Sequence, residues 1–263
     1  MRVTNGKALV TGAGKRLGRA MALYLGSRGF DVAVHYAASA GGATGVVADI
    51  RAMGQQAHAL QADLLDPAQM QALVGRAGAA LGGPLTLLVN NASIFDYDTL
   101  ATATADSWHR HMASNLQAPF VLTQAFAAQA PRTIADANGE PVAQALVVNM
   151  VDQRVLKPTP EFMTYSLAKA GLWALTRTAA QALAPHVRVN AIAPGPTMRG
   201  ARQTEAHFAR QRAATLLQRG ADAGDITAAL GYLVDAPAVT GQLLAVDGGQ
   251  HLAWQTTDIL GVE

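Results

Sequence analysis

Short apolar runs, most of them rich in β-branched and leucine residues, alternate along this chain with segments of helical length. That alternation constrains its fold more than any other feature. The runs are Ala8–Val10, Val32–Val34, Ala57–Leu60, Leu85–Val89, Leu146–Val151, Val187–Ile192 and Leu243–Val246. Strands that are nearly continuously apolar are buried on both faces, which marks a parallel sheet covered by helices. The expected fold is therefore α/β, a single doubly wound parallel sheet of about seven strands with right-handed crossovers and helices on both faces. With 263 residues, half of them hydrophobic and 14% charged, the chain can bury that core as one domain over 1–263.

No internal repeat or linker interrupts the pattern. Residues 131–144, with Asn138-Gly139, read as a surface excursion before the fifth strand. Residues 194–223 break the strand–helix rhythm and read as a mobile substrate lid. After Asp247-Gly248-Gly249 the chain reads as a tail without clear periodicity.

Several function classes are disfavoured by composition. The chain has no cysteine, so disulfides, zinc–thiolate sites and thiol nucleophiles are out, and a reducing cytoplasm is the expected location. No apolar run reaches the length of a membrane span, and the start, Met1 to Lys7, lacks the apolar core of a signal peptide. Net charge is only +2. The densest basic region, with Arg199, Arg202, Arg210, Arg212 and Arg219, has no interleaved aromatics. It reads as a solvated helical face or a substrate loop, and no nucleic-acid partner is expected. His109 and His111, two apart, point to different faces of a helix, and no metal is expected. Low charge with plentiful alanine and glycine hints at homo-oligomer interfaces.

The first strand runs into Thr11-Gly12-Ala13-Gly14-Lys15-Arg16-Leu17-Gly18 and then a helix. Glycines there let the backbone turn tightly and approach a pyrophosphate, whose charge a helix N-terminus stabilises. The spacing is Thr-Gly-x-x-x-Arg-x-Gly, because Leu17 stands where the third glycine of Gly-x-Gly-x-x-Gly would be. A glycine-rich turn with no ligand is the alternative. An NAD site would want an acid near the end of the second strand. Here that stretch reads Val34-His35-Tyr36-Ala37-Ala38-Ser39, without one, while Lys15 and Arg16 bring positive charge to the turn. The expected cofactor is NADPH, unless Lys15 and Arg16 are only solvent-facing turn residues. Asp63 could hydrogen-bond the adenine or act with Asp66 as a helix cap.

Tyr165 and Lys169 stand four apart, which on a helix places both on one face. A cation beside a phenol favours phenolate, so the tyrosine could exchange a proton below its free pKa of ~10. Thirteen residues earlier Asp152 closes the apolar run Ala145–Val151 and would face the same pocket. A helix cap is the alternative role for it. Phe95, after the fourth strand, could sandwich a flat heterocycle against a nicotinamide or simply pack its loop. Ser93 could hydrogen-bond cofactor and substrate or cap the loop.

Taken together, Thr11–Gly18, Asn90-Asn91-Ala92-Ser93, Asn115, Tyr165…Lys169, Arg188-Val189-Asn190, Pro194-Gly195 and Asp247-Gly248-Gly249 resemble the short-chain dehydrogenase/reductase family from about Lys7 to Gly249. The resemblance implies a seven-stranded Rossmann-like sheet, a nicotinamide cofactor, usually a tetramer, and a Tyr165–Lys169 pair assisted by Asn115. It also implies cofactor contacts from Gly12, Lys15, Arg16, Leu17 and Gly18, from His35, Tyr36 and Ser39, and from Asp63. Asn91, Ala92 and Ser93, with Pro194, Gly195 and Thr197, complete that set, Tyr165 and Lys169 again included.

Two departures point to one branch of the family. Arg16 replaces the usual middle glycine, and Asn149-Met150-Val151-Asp152 stands where most members carry a serine pair. Both resemble the pteridine reductases and the bacterial dihydromonapterin reductases, as do His35-Tyr36 with Ser39 and Asn91–Phe95. That likeness implies that Arg16, Ser93, Phe95, Asp152 and Tyr165 line a pterin pocket. Two positions differ from the branch: Ala38 stands where a basic residue is usual, and Trp254 where some family members place an arginine that reaches a neighbouring subunit's site.

A pterin is reduced at C=N bonds, so the acceptor atom is a basic nitrogen, and a carboxyl whose pKa is raised by burial can hold the needed proton. The expected activity is NADPH-dependent reduction of dihydropterins, extending to dihydrofolate, with the proton from Tyr165 and Asp152. The alternatives are a carbonyl reductase of the 3-oxoacyl or sugar type, and a non-catalytic NADP-binding protein.

Overall fold

All seven apolar runs become strands of one parallel sheet in the computed structural model, which describes residues 6–200 and 202–256. In chain order the first half comprises β1 (Lys7–Val10), α1 (Arg16–Ser27), β2 (Asp31–Tyr36), α2 (Ala40–Ala52), β3 (Ala57–Gln61), α3 (Pro67–Ala80), β4 (Leu87–Asn90), α4 (Ala105–Met112) and α5 (Ala118–Gln129). The second half comprises β5 (Ile134–Ala135), β6 (Pro141–Val142), β7 (Ala145–Met150), α6 (Met163–Leu183), β8 (Val187–Pro194), α7 (Glu205–Ala213), α8 (Ala223–Asp235) and β9 (Leu243–Val246). The sheet order is β3-β2-β1-β4-β7-β8-β9, every pair parallel. The direction of winding reverses between β1 and β4, and the carboxyl ends of those strands border the crevice that such a switch creates.

Successive strand residues point to opposite faces. Ala8 and Val10 therefore pack with α1, α2 and α8 through Met21, Leu25, Ile50 and Leu230. Leu9, between them, packs with α3, α5 and α6 through Leu73, Phe126 and Ala180 on the other side. A sheet sealed on both faces has little tolerance for polar side chains, and most of those inside it are paired, although Asn90 Oδ1 and Arg188 Nε have no partner among the described residues. Asn90 Nδ2 donates to Asn149 Oδ1 at 2.8 Å, Asn149 Nδ2 to Thr176 Oγ1 at 2.9 Å, and Thr176 Oγ1 to the Leu172 carbonyl at 2.8 Å. This buried ladder ties β4 and β7 to α6.

Residues 131–144 hold a small antiparallel hairpin, β5–β6, whose turn places Gly139 at φ +81. The 194–223 segment is less irregular than its sequence implies, because it contains α7. That helix buries none of its residues. The stretch after β9 opens on a 3-10 turn, Gln250–Leu252. Its form follows from Asp247, whose carboxylate accepts from Gly249 N, His251 N and His251 Nδ1 at 2.7–2.9 Å. Trp254 is exposed, and residues 257–263 of the tail lie outside the described residues. Among the described residues no helix is long and apolar enough to cross a membrane.

Candidate active site

At the carboxyl edge of the sheet a cleft of about 870 Å³ opens. Its cofactor side is the turn between β1 and α1. Gly12 takes φ +64, in the left-handed region that suits glycine. A Cβ on Gly18 would stand 2.2 Å from the Gly12 carbonyl oxygen, so only glycine lets α1 pack against the turn. Arg16 holds φ +52, also in the left-handed region. Helix α1 begins without a side-chain cap, which leaves its first N–H groups free for an anion. Lys15 and Arg16 are exposed beside it.

Thr11 fastens this turn to β4. Its hydroxyl donates to the Val89 carbonyl and accepts from Asn91 N at 2.8 Å and Ala92 N at 2.9 Å. Asn91 Nδ2 returns a bond to the Thr11 carbonyl at 2.8 Å. Ser39 lies against Gly14, where an added Cβ would meet its Oγ at 2.4 Å, and its hydroxyl makes no cap bond to α2. No acid stands at the end of β2, where Ala37 and Ala38 are exposed. These features fit a nicotinamide dinucleotide carrying a ribose phosphate.

The catalytic side is built by β7 and α6. Tyr165 Oη donates to Asp152 Oδ2 at 2.9 Å, closing the thirteen-residue interval between them. Asp152 Oδ1 accepts from Arg154 N at 2.9 Å and caps the short 3-10 turn Gln153–Val155, so the capping role and the place in the cleft coexist. Burial pushes the Asp152 carboxyl above its ordinary pKa, against the bonds from Arg154 N and Tyr165. Burial also lifts the Tyr165 phenol well above its ordinary value, with the Asp152 charge adding to the rise. This differs from the phenolate expected beside Lys169. The lysine ammonium sits 5.7 Å from the phenol ring centroid and donates instead to the Met150 carbonyl at 2.7 Å.

The remaining residues singled out by the sequence divide into cleft and support. Arg16, Leu17, Asn91, Ser93, Phe95, Pro194, Gly195 and Thr197 all line the cleft. His35 does not face it. Its ring is buried beneath the glycine turn, with Nδ1 accepting from Gly12 N and Nε2 donating to the Ala62 carbonyl, both at 3.0 Å. An Nδ1 that accepts requires a neutral ring, and burial pushes the imidazole pKa down in the same direction. Tyr36 packs at the margin of the core. Asp63 is exposed and accepts from Leu65 N at 2.9 Å, while Asp66 alone caps α3. Asn115 is fully buried in a π-helical turn, Ala113–Gln117, between α4 and α5. Both ends of its amide go to the Ile94 backbone, at 2.9 and 2.8 Å, so it fixes the Phe95 loop and its side chain hydrogen-bonds neither Tyr165 nor Lys169.

Phe162 escaped the sequence reading, and Arg202 was read only as part of a basic stretch forming a solvated helical face or a substrate loop. The Phe95 and Phe162 rings stack at 4.2 Å and 8°, and Phe95 meets the Tyr165 ring edge-on at 4.6 Å. The Arg202 guanidinium covers both phenylalanines at 5.4 and 5.6 Å. An aromatic three residues before the tyrosine was the available signal for Phe162. Arg202, 107 residues from Phe95, had none. Arg16 reaches across the cleft and donates to the carbonyls of Arg199 at 2.7 Å and Met198 at 3.0 Å. No cluster of metal-ligating side chains occurs among the described residues.

A family model described as short chain dehydrogenase matches residues 6–209, and the chain belongs to that family. Among solved structures it is similar to FolM Alternative dihydrofolate reductase 1 from Brucella canis complexed with NADP. The two share 41% identity and a TM-score of 0.90, over 98% of each chain. It is 32% identical to the 3-oxoacyl-[acyl-carrier-protein] reductase FabG of Staphylococcus aureus over 93% of this chain and 98% of that one. It is also 32% identical to the L-rhamnose 1-dehydrogenase (NAD(P)(+)) of Sphingomonas sp., over 97% of this chain and all of that one.

The buried lysine generates a test. Burial pushes Lys169 down to about 8 from 10.5, with Asp152 opposing. Between those values the unfolded state binds a proton that the folded state has released. Stability of the cofactor-free protein therefore gains with rising pH there, by at most ~1.4 kcal/mol per pH unit, while below about 8 the burial penalty remains in full. Urea unfolding of wild type and Lys169→Met at about pH 7 and pH 10 should show the wild type gaining relative to the variant. A pH-independent difference would contradict the shift.

Proposed function

We propose that this protein reduces dihydropterins to their tetrahydro form with NADPH, and that the activity extends to dihydrofolate. The observation that carries the proposal is the hydrogen bond between Tyr165 and Asp152, with the carboxyl raised by burial. A C=N bond under reduction needs a proton at its nitrogen, and a carboxyl with a raised pKa keeps one available nearer neutral pH. The likeness to a solved alternative dihydrofolate reductase supports the same reading.

NADPH supplies the hydride. The glycine turn and the free N–H groups of α1 would hold its pyrophosphate, and Lys15, Arg16 and Ser39 would receive the ribose phosphate. Lys169 would hold the nicotinamide ribose. Phe95 offers a ring face to a flat substrate beside Tyr165, and Arg16 and Ser93 meet its polar edge. Asp152 and Tyr165 pass the proton to the ring nitrogen, and water from the open cleft returns it.

A second reading, reduction of 3-oxoacyl or sugar-type carbonyls, draws on the relatives with those names. The serine that such chemistry uses in most of the family is Asp152 here, which favours the pterin. We further propose a tetramer. Trp108, Phe120 and Leu167, on α4, α5 and α6, are each more than 40% exposed in the single chain and would be covered by neighbours.

Three measurements address these proposals. Under saturating NADPH, Asp152→Asn should lower dihydropterin turnover by ~10²–10⁴, the usual loss for a general acid, with NADPH affinity nearly unchanged. Asp152→Ser should admit ketones. Wild-type turnover in Asp152→Asn leaves Asp152 as a cap and removes the C=N argument. Direct binding should show NADPH tighter than NADH, and equal affinity would overturn the phosphate assignment. Sedimentation at micromolar concentration should show tetramers, and monomer alone would defeat that assignment.

A further inference from the structure

Helix α6 carries Tyr165 and Lys169, yet its own start supplies no side-chain cap. Phe162 occupies the N-cap position in the left-handed region, at φ +56 and ψ 49, where a bulky side chain is strained. The first N–H groups of a helix still need acceptors. Here they come from far along the chain. Asp98, three residues after Phe95, is 3% exposed, and its Oδ1 accepts from Thr164 N at 3.1 Å across 66 residues. The Asp98 carbonyl accepts from Met163 N at 3.3 Å. Its Oδ2 accepts from Ser107 Oγ at 3.0 Å and from Thr164 Oγ1.

Thr164 Oγ1 also meets His111 Nδ1 at 2.7 Å. The threonine proton is directed to Asp98, so His111 Nδ1 must be the donor in that contact. His111 Nε2 is then free to accept from Asp96 N, at 3.1 Å, which is the arrangement found. The imidazole is fully buried, and desolvation pushes its pKa down, in keeping with a neutral ring. Its edge faces the Tyr165 ring, with centroids 6.1 Å apart.

We propose that Asp98, Thr164 and His111 are positioning residues for Tyr165. They lock the first turn of α6 to the loop that carries Phe95, so that the phenol and the ring wall keep one geometry. One end of the network is the residue before Tyr165, and the other is the backbone of the residue after Phe95. Loosening it displaces the proton donor relative to the surface that orients the substrate. A displacement of about 1 Å can lower a rate by ~10²-fold. The inference rests on the reading of Tyr165 as a proton donor.

Thr164→Val tests it, because valine keeps the shape and the backbone N–H to Asp98 while removing the hydroxyl shared by Asp98 and His111. With saturating NADPH and 7,8-dihydropterin, kcat should fall by ~10²-fold, with the dissociation constant for NADPH unchanged. Thr164→Ser, which restores the hydroxyl, should restore kcat. A second readout needs no turnover. In protein labelled at tyrosine 13Cζ, the resonance assigned by its loss in Tyr165→Phe should shift in Thr164→Val and return in Thr164→Ser. If Thr164→Val lowers the melting temperature but leaves kcat and the resonance at wild-type values, the network is a structural cap only and the inference fails. If Tyr165→Phe itself turns over at the wild-type rate, the failure lies with the proton-donor reading, and the resonance still reports whether the network sets the tyrosine's geometry.

Discussion

Burial of the sheet on both faces governs everything else in this protein. Helices cover β1, β4 and β7 from above and below, so charged or hydrogen-bonding side chains have little room along the strands. They gather where the strands end. Thr11, Asn91 and Asp152 all lie just past the last apolar residue of a strand, and the cleft opens there. The strand order places β1 next to β4, and β4 next to β7, so three separate stretches of sequence deliver their polar termini to one edge.

The same burial decides the electrostatics of the site. Asp152, Tyr165 and Lys169 each lose water, and each moves toward its neutral form: the carboxyl and phenol upward, the ammonium downward. A serine in place of Asp152 would polarise a carbonyl but could not store a proton. The aspartate is therefore the feature on which the proposed pterin activity rests, while proteins named for either chemistry resemble the chain over most of its length.

Most of the fold was legible in the sequence because strands covered on both faces write themselves as nearly continuous apolar runs, and no run ends more than two residues from the end of its strand. The helix α7 was legible only as one of two alternatives, a solvated helical face or a loop, because it lies on the surface with no apolar face to bury. Within the site, residues brought together by local geometry were legible, among them the Tyr165–Lys169 pair and the glycine turn. Residues defined by distant partners were not. His35 was read as a cofactor contact because its role depends on Gly12 and Ala62, 23 and 27 positions away. Asn115 was expected to assist the Tyr165–Lys169 pair, and only the fold shows where its amide bonds, to the backbone of Ile94. Asp98 carries no motif, since remote capping leaves no spacing to read, and nothing in the sequence signals that the side chains of Phe162 and Arg202 stack together.

The ladder from Asn90 through Asn149 to Thr176 has a consequence for descent. Each rung is buried, and each amide or hydroxyl satisfies the next, so replacing one strands its neighbour in an apolar interior. The three positions are energetically coupled, and the effect of changing one depends on the identity of the others. A lineage that drifts at Asn149 is under pressure to change Asn90 or Thr176 with it. These three sites should therefore travel as a unit through the history of the family, while the exposed faces around them diverge independently.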